Sequence, residues 1–450
     1  MSVLEELAAL RGLDLPLTGG TTWAYIYDSG SSDIRDVGAR AYAEMLDVNG
    51  LDPTAFPSVV ALENSVVGTA AALLGGGAGM FTSGGTESCL LAVKAARDAR
   101  SDVDGPEIVL PVTAHPAFHK AAHLFGLTVV TTPVDGECRA SVGAIEAAIT
   151  DRTVLVVASA PSYPTGTVDP VADIAAVAAA RGVRCHVDAC IGGWVLPFLP
   201  DAPPFDLTVA GVTSLSVDLH KYAYAPKGAS VLLFRDRAAR RDAWFSYAGW
   251  PGYPVLNPTL QSAKSAGPLA AAWAVLKHVG TDGYRDLALA ARDALLRLAA
   301  GVSTLDGLYV LGVPDTTLLA VAGTDVDVFV VADELRARGF YAQVQLSLGA
   351  IPATLHFSAH GVSVSTVDAL LAALTEAVTA ARAAGPASAA DLSGVDVSTV
   401  DEDGLVRLLM ETGLSLATMA PINATLDALP VPAREHLLKV FLSVLLSPAG

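Results

Sequence analysis

Between residues 59 and 236 the chain alternates two textures: short runs dense in Val, Ile, Leu and Thr, and Ala-rich stretches whose apolar positions recur every three to four residues. The short runs fit strands buried on both faces, and the longer stretches fit amphipathic helices. Strands are expected at 107–110, 128–130, 153–158, 183–187, 214–217 and 230–234, with helices at 87–100, 117–124, 142–149 and 171–181 between them. Such alternation predicts an α/β fold in which helices cover both faces of a mostly parallel sheet. In that architecture, ligands bind beyond the carboxyl ends of the strands.

Outside this block the pattern changes. Residues 1–57 are irregular apart from a helical stretch at 36–46, and read as an arm or lid. A long helical segment at 268–300 closes the large domain, taken as 58–300. Strands at 308–311, 317–321, 341–345 and 354–357, with helices at 326–338 and 364–384, predict a smaller α+β domain at 301–450. Its end, past an Ala- and Ser-rich connector at 386–393, reads as a helical tail.

Hydrophobic residues make up 52% of the 450, and the mean hydropathy is +0.47. The least charged stretch, 65–86, raises the question of a membrane span, which needs ~20 continuous apolar residues. Gly75, Gly76, Gly77 and Gly79, and the polar turn from Ser83, make it a buried helix and loop instead, so no membrane span is expected. Glu5 and Glu6 stand where a secretory leader carries Lys or Arg, which makes the cytoplasm the expected compartment. A formal net charge of −18 opposes nucleic acid and anionic membrane surfaces as partners. Cys89, Cys138, Cys185 and Cys190 show neither zinc-ligand pairing nor the density of a disulfide scaffold, and no metal is expected.

Four segments carry chemistry, each with an ordinary structural alternative. Lys221 follows a strand, beside His220 and ahead of Pro226, Lys227 and Gly228. A nucleophilic amine at neutral pH needs burial or a neighbouring cation to favour its free form, and Lys227 is such a cation. A lysine capping a strand end is the alternative. Asp188 also closes an apolar strand, where a carboxylate holds a protonated pyridine nitrogen or merely caps a turn. The turn Ser83-Gly84-Gly85-Thr86 opens a helix with two glycines, as a phosphate seat or an ordinary helix start does. His115 lies between a strand and a helix at the same edge, where an imidazole stacks on a ring or supports the turn. Anion turn, histidine, strand-end acid and strand-end lysine, in that order, together point to pyridoxal 5′-phosphate (PLP).

These segments resemble the sphingosine-1-phosphate lyase branch of the group II PLP-dependent decarboxylases, of fold type I in the aspartate aminotransferase superfamily. The matching residues are Thr82 to Ser88; Ala114-His115 with Ala117-Phe118, Lys120 to Ala122 and Phe125-Gly126; His186 to Gly193; and His220-Lys221-Tyr222 with Tyr224 to Gly228. Weaker likeness runs from about Gly20 into the small domain. The resemblance implies a seven-stranded large-domain sheet, with Lys221 as the Schiff-base lysine, Asp188 as pyridine partner and His115 as stacking ring. It also implies phosphate contacts from Gly85, Thr86, Ser216 and His220, with Lys227 and an arm tyrosine near the substrate. Tyr27 fits that position better than Tyr25 by its spacing to Asn49. Family members are homodimers whose active sites draw on both subunits.

Two departures bear on the substrate. Where the family has Asn-Pro-Leu-His-Pro-Asp, this chain has Asn49-Gly50-Leu51-Asp52-Pro53-Thr54, so an acid replaces a histidine expected to hold the substrate phosphate. Where it has Gly-Ser-Arg-Pro-Gly, Lys264 stands in for the arginine, keeping the charge but losing bidentate geometry. The expected activity is retro-aldol cleavage of a β-hydroxy amine or amino acid to an aldehyde. Decarboxylation of an amino acid, with Lys264 as a carboxylate site, is the first alternative, and a PLP-binding protein with degraded activity the second.

Overall fold

The computed structural model describes residues 2–415 and 418–447; the ends of the expected small domain, 448–450, and the pair 416–417 lie outside them. The arm holds α1 (Val3–Arg11), closed by a capping box between Ser2 and Glu5, and α2 (Ser32–Glu44). α1 buries none of its residues. Between the two helices, Trp23 is fully buried, donates its N–H to the carbonyl of Tyr341 at 2.8 Å, and meets Phe357 edge-on. The arm is therefore anchored in the core of the smaller domain.

The large domain follows as α3 (Pro57–Leu74), β1 (Ala78–Thr82), α4 (Gly85–Asp98), β2 (Glu107–Pro111), α5 (Ala117–Phe125), β3 (Thr128–Thr132), α6 (Val142–Ala148), β4 (Thr153–Ser159), α7 (Val171–Ala180), β5 (Arg184–Asp188), β6 (Val212–Asp218), β7 (Ser230–Phe234) and α8 (Arg237–Arg241). Its seven-stranded sheet has the order β1-β7-β6-β5-β4-β2-β3. Only β7 runs antiparallel to its neighbours. The sequence pattern reads the β1 segment as loop, and the structure makes it a strand. Its sequence, Ala-Gly-Met-Phe-Thr, lacks β-branched residues before Thr82, and its glycine is needed because a Cβ at Gly79 would come within 2.8 Å of Val67 and Leu233. α3 is long and apolar enough to cross a membrane by composition, yet it packs on β1, β7 and the later α9.

A short hairpin, β8 (Phe245–Tyr247) and β9 (Val255–Asn257), leads to α9 (Ala266–Val302), which breaks at Gly280, where φ is 64°. Beyond it come β10 (Leu308–Leu311), β11 (Leu318–Gly323), α10 (Val328–Ala337), β12 (Gln343–Gln345), β13 (Thr354–Ser358) and α11 (Val367–Ala384). The four strands form an antiparallel sheet with its own core around Leu319, Val331, Phe357 and Leu374. α12 (Glu402–Thr412), α13 (Ala420–Ala428) and α14 (Val431–Leu445) form the tail, with a small cluster at Val397, Leu405 and Leu437.

Register sets up the site. Across the parallel strands Asp188 sits between Ser159 of β4 and Ser216 of β6, and Asp218 pairs with Ser230 of β7. Both acids are the last residues of their strands, at the edge where an α/β sheet receives ligands.

Candidate active site

Five strand ends converge on one cavity of about 330 Å³, lined among others by Ser83 to Glu87, His115, Ser159, Tyr163, Asp188, Asp218 and Lys221. β1 enters α4 through Ser83 and Gly84. Glu87 turns its carboxylate back to accept the N–H of Ser83 at 2.7 Å and of Leu260 at 2.9 Å, which pins the turn. The N–H groups of Gly85 and Thr86 have no acceptor among the described residues, as the first turn of a helix dictates. A Cβ at Gly85 would stand 2.7 Å from Cys190 Sγ and 2.8 and 2.9 Å from the Asp218 oxygens, so no larger residue fits. Free N–H groups at a helix start make this turn a seat for an anion.

His115 Nδ1 accepts the N–H of Ala117 at 3.2 Å, so Nε2 carries the ring proton. Burial lowers its pKa, although Asp188 pulls the other way, and the ring stays neutral. His220 is arranged alike: Nδ1 accepts from Ala229 at 3.1 Å, Nε2 lies 3.6 Å from Asp218, and burial brings its pKa to about 4.

Asp188 Oδ1 accepts the N–H of Cys190 at 3.1 Å and the hydroxyl of Ser216 at 3.3 Å, while Oδ2 has no hydrogen bond among the described residues. Ser216, expected as a phosphate contact, is fully buried and does not line the cavity; its hydroxyl sits among Asp188, Cys190 and His186 and orients the carboxylate.

Lys221 Nζ stands 2.9 Å from Asp218 Oδ2. Burial works against its charge, but Asp218 and then Tyr27 and Cys190 outweigh it, and the pKa rises well above 10.5. The carboxylate in contact thus opposes the free amine that burial and Lys227 were expected to favour. Lys227, an exposed residue, is lowered to about 8 by partial desolvation and by the charge of Lys221. Its Nζ lies 4.8 Å from the centre of the Tyr27 ring, which meets Tyr222 edge-on and is raised in pKa chiefly by burial. Tyr27 and Lys227 thus sit together beside Lys221.

The other expected substrate residues are elsewhere. Asn49 bridges to Ser265, and its Oδ1 accepts the N–H of Leu51. Asp52 is exposed and spends its carboxylate on Thr54 and Ala55. Lys264 is 2.5 Å from Glu63, which also accepts the N–H of Phe81, so it is already neutralised and offers no free cation for a carboxylate. None of the three lines the cavity as this chain forms it, and neither do Tyr27 and Lys227.

Two residues passed over in the sequence belong here. Asp218 lies three positions before Lys221, and a buried acid ending a parallel strand was the available signal. Tyr163 follows β4, stacks on His356 with ring centres 4.3 Å apart, and donates to Gln343 Oε1 at 2.5 Å, joining the two domains at the cavity wall.

The arrangement fits PLP on its own terms. The glycine turn would take the phosphate, the unpaired Oδ2 of Asp188 the ring nitrogen, and Lys221 the carbonyl carbon. The buried Oδ1 of Asp218 without a hydrogen bond marks the polar demand of the floor.

The aminotransferase class-V family model matches residues 78–249. The chain is 37% identical over 359 residues to the sphingosine-1-phosphate lyase of Arabidopsis thaliana, covering 76% of this chain and 65% of that protein. It is 34% identical over 315 residues to a probable L-tyrosine/L-aspartate decarboxylase of Methanothermobacter thermautotrophicus, covering 68% of this chain and 85% of that one. The solved sphingosine-1-phosphate lyase of Burkholderia pseudomallei superposes with a TM-score of 0.80 at 35% identity, over 85% of this chain and 91% of that structure. The chain spans just under two thirds of the plant lyases it matches, 65% and 66%.

Proposed function

The chain belongs to the sphingosine-1-phosphate lyase-like branch of the group II PLP-dependent decarboxylase family, and on that premise we propose that it is a carbon–carbon lyase cleaving a β-hydroxy amine or amino acid to an aldehyde. PLP is its cofactor. One observation carries the reading: Lys221, Asp188, His115 and the glycine turn, remote in sequence, face one cavity. When bound, PLP offers a carbon that the substrate amine can attack and a π system that takes up the electrons of the broken bond.

The chain supplies the rest. Asp188, oriented by Ser216 and the Cys190 N–H, would hold a proton on the ring nitrogen. Lys221 would anchor the group covalently, and Asp218 receives its ammonium when the amine is free. His115, neutral with Nε2 protonated, donates into the cavity. Lys227, with a pKa of about 8, exchanges protons near neutrality at the substrate side, next to Tyr27.

Asp52 and the paired Lys264 leave Lys227 as the cation next to the arm tyrosine, which favours an unphosphorylated substrate over a phosphomonoester. We also place the enzyme in the cytoplasm as a homodimer. The exposed stripe of α3 at Val60, Ala61, Gly68 and Ala72 supports the dimer. Decarboxylation is the second reading, favoured by the similarity to the Methanothermobacter protein. Incubation with phosphorylated and unphosphorylated β-hydroxy amines and with common amino acids separates the two. Aldehyde without CO2 is the expected product, and CO2 without aldehyde overturns the lyase reading.

A further inference from the structure

We propose that Cys89, Cys190 and Asp188 form a thiophilic metal site in the cavity floor, binding a soft divalent cation such as Cd2+ or Zn2+ in exclusion of PLP. Cys89 comes from the first half of α4, and Cys190 from the turn that leaves β5 two residues after Asp188. Their donor atoms, two sulfurs and a carboxylate oxygen, all lie within 4.8 Å of one another, and all three residues are buried. Ser216 Oγ sits among them, 4.0 Å from Cys89 Sγ, 3.4 Å from Cys190 Sγ and 3.3 Å from Asp188 Oδ1.

In a tetrahedral site with metal–sulfur bonds of about 2.3 Å, two sulfurs stand roughly 3.8 Å apart. Closing this set therefore takes side-chain movements of about an ångström or less. Both cysteines touch the cavity, so an ion can enter from it, and Ser216 or a solvent molecule completes the fourth position.

The electrostatics select a cation. Asp188 and Asp218 make the floor acidic, and both thiols are protonated. Cys190 is pushed well up by its hydrogen bond with Cys89, then by burial and the two aspartates. Cys89 gains from that bond, but burial and the same aspartates outweigh it. Thiols of this kind are poor nucleophiles and poor targets for oxidation. A soft dication reverses the balance: two S–H protons leave to solvent, two metal–sulfur bonds form and take up the ion's two charges, and Asp188 binds as a third, anionic donor. Because Asp188 also serves the ring nitrogen of PLP, the two ligands compete. The inference rests on the PLP site and not on which bond the enzyme breaks.

The test uses the full-length chain, stripped of PLP with hydroxylamine under reducing conditions and titrated with Cd2+. The expected result is a near-ultraviolet cadmium–thiolate band saturating at about one equivalent, absent when the chain is first loaded with PLP. Cys89→Ala and Cys89→Ser should both lose the band while still taking up PLP, read from its visible absorbance. The proposal is overturned by no band in the stripped chain, by undiminished bands in both variants, or by equal bands with and without PLP.

Discussion

The floor of the cavity and the rim expected around it are both marked out by motif, yet they behave oppositely. On the floor, residues from four sequence-distant segments meet at one edge of the sheet, and register alone sets Asp188 between Ser159 and Ser216. Their hydrogen bonds leave the functional atoms, Asp188 Oδ2 and the N–H groups of Gly85 and Thr86, turned to the cavity. At the rim, Asn49, Asp52 and Lys264 are consumed by near neighbours: Leu51, Thr54 and Glu63. The difference teaches that strand register gathers the floor residues within one chain, whereas the three rim side chains are spent on their own contacts in that chain.

Mutations sharpen this contrast in descending order of effect. Lys221→Ala should cost at least about a thousandfold in turnover and remove the visible absorbance that survives gel filtration of the loaded enzyme. Persistence of that absorbance would assign the anchor to another lysine. Asp188→Asn should retain PLP but slow turnover by about a hundred- to a thousandfold, because an amide cannot hold the ring proton by charge. Near-normal turnover would remove the acid from the chemistry.

Gly85→Ala forces a methyl against Cys190 and Asp218, an overpacking cost of about 1–3 kcal/mol, and should weaken PLP binding about ten- to a hundredfold in an equilibrium titration. Unchanged affinity would show that the turn yields easily.

Acid should loosen the floor and the domain junction. His186 and His360 are buried with pKa values brought to about 4 by desolvation. The folded values lie below the unfolded one of about 6.5, so the unfolded chain binds more protons and stability, complete above pH 6.5, is lost as pH falls toward 4. Denaturant unfolding at pH 5 should show a loss of about 2 kcal/mol per such histidine relative to pH 7. His186→Asn should flatten that slope, and an identical slope in the variant would rule the histidine out as its source. Smallest of all, Asp52→Asn should alter turnover of an unphosphorylated substrate by less than about twofold. A large loss would put the rim back into the site.

Much of this was legible in the chain itself. The texture of 59–236 announced the parallel sheet because strands covered on both faces have to be apolar throughout. Lys221, Asp188, His115 and the glycine turn were legible because each follows a strand, and strand ends in such a sheet share one edge. β1 was not legible, since a glycine chosen for close packing against Val67 and Leu233 weakens every local signal for a strand. Nor was the small-domain anchorage of the arm by Trp23, which depends on a contact with residue 341.

What the sequence determined by itself was the layer architecture and the identity of the reactive groups, because periodicity and strand-end position are local properties. Which of those groups carries charge was decided only by tertiary structure. Lys221 is held as an ammonium by Asp218, Lys227 is the lysine with the lowered pKa, and Ser216 donates to Asp188. Charge in a buried site depends on the nearest neighbours in space and their distances, and those exist only once the strands have paired.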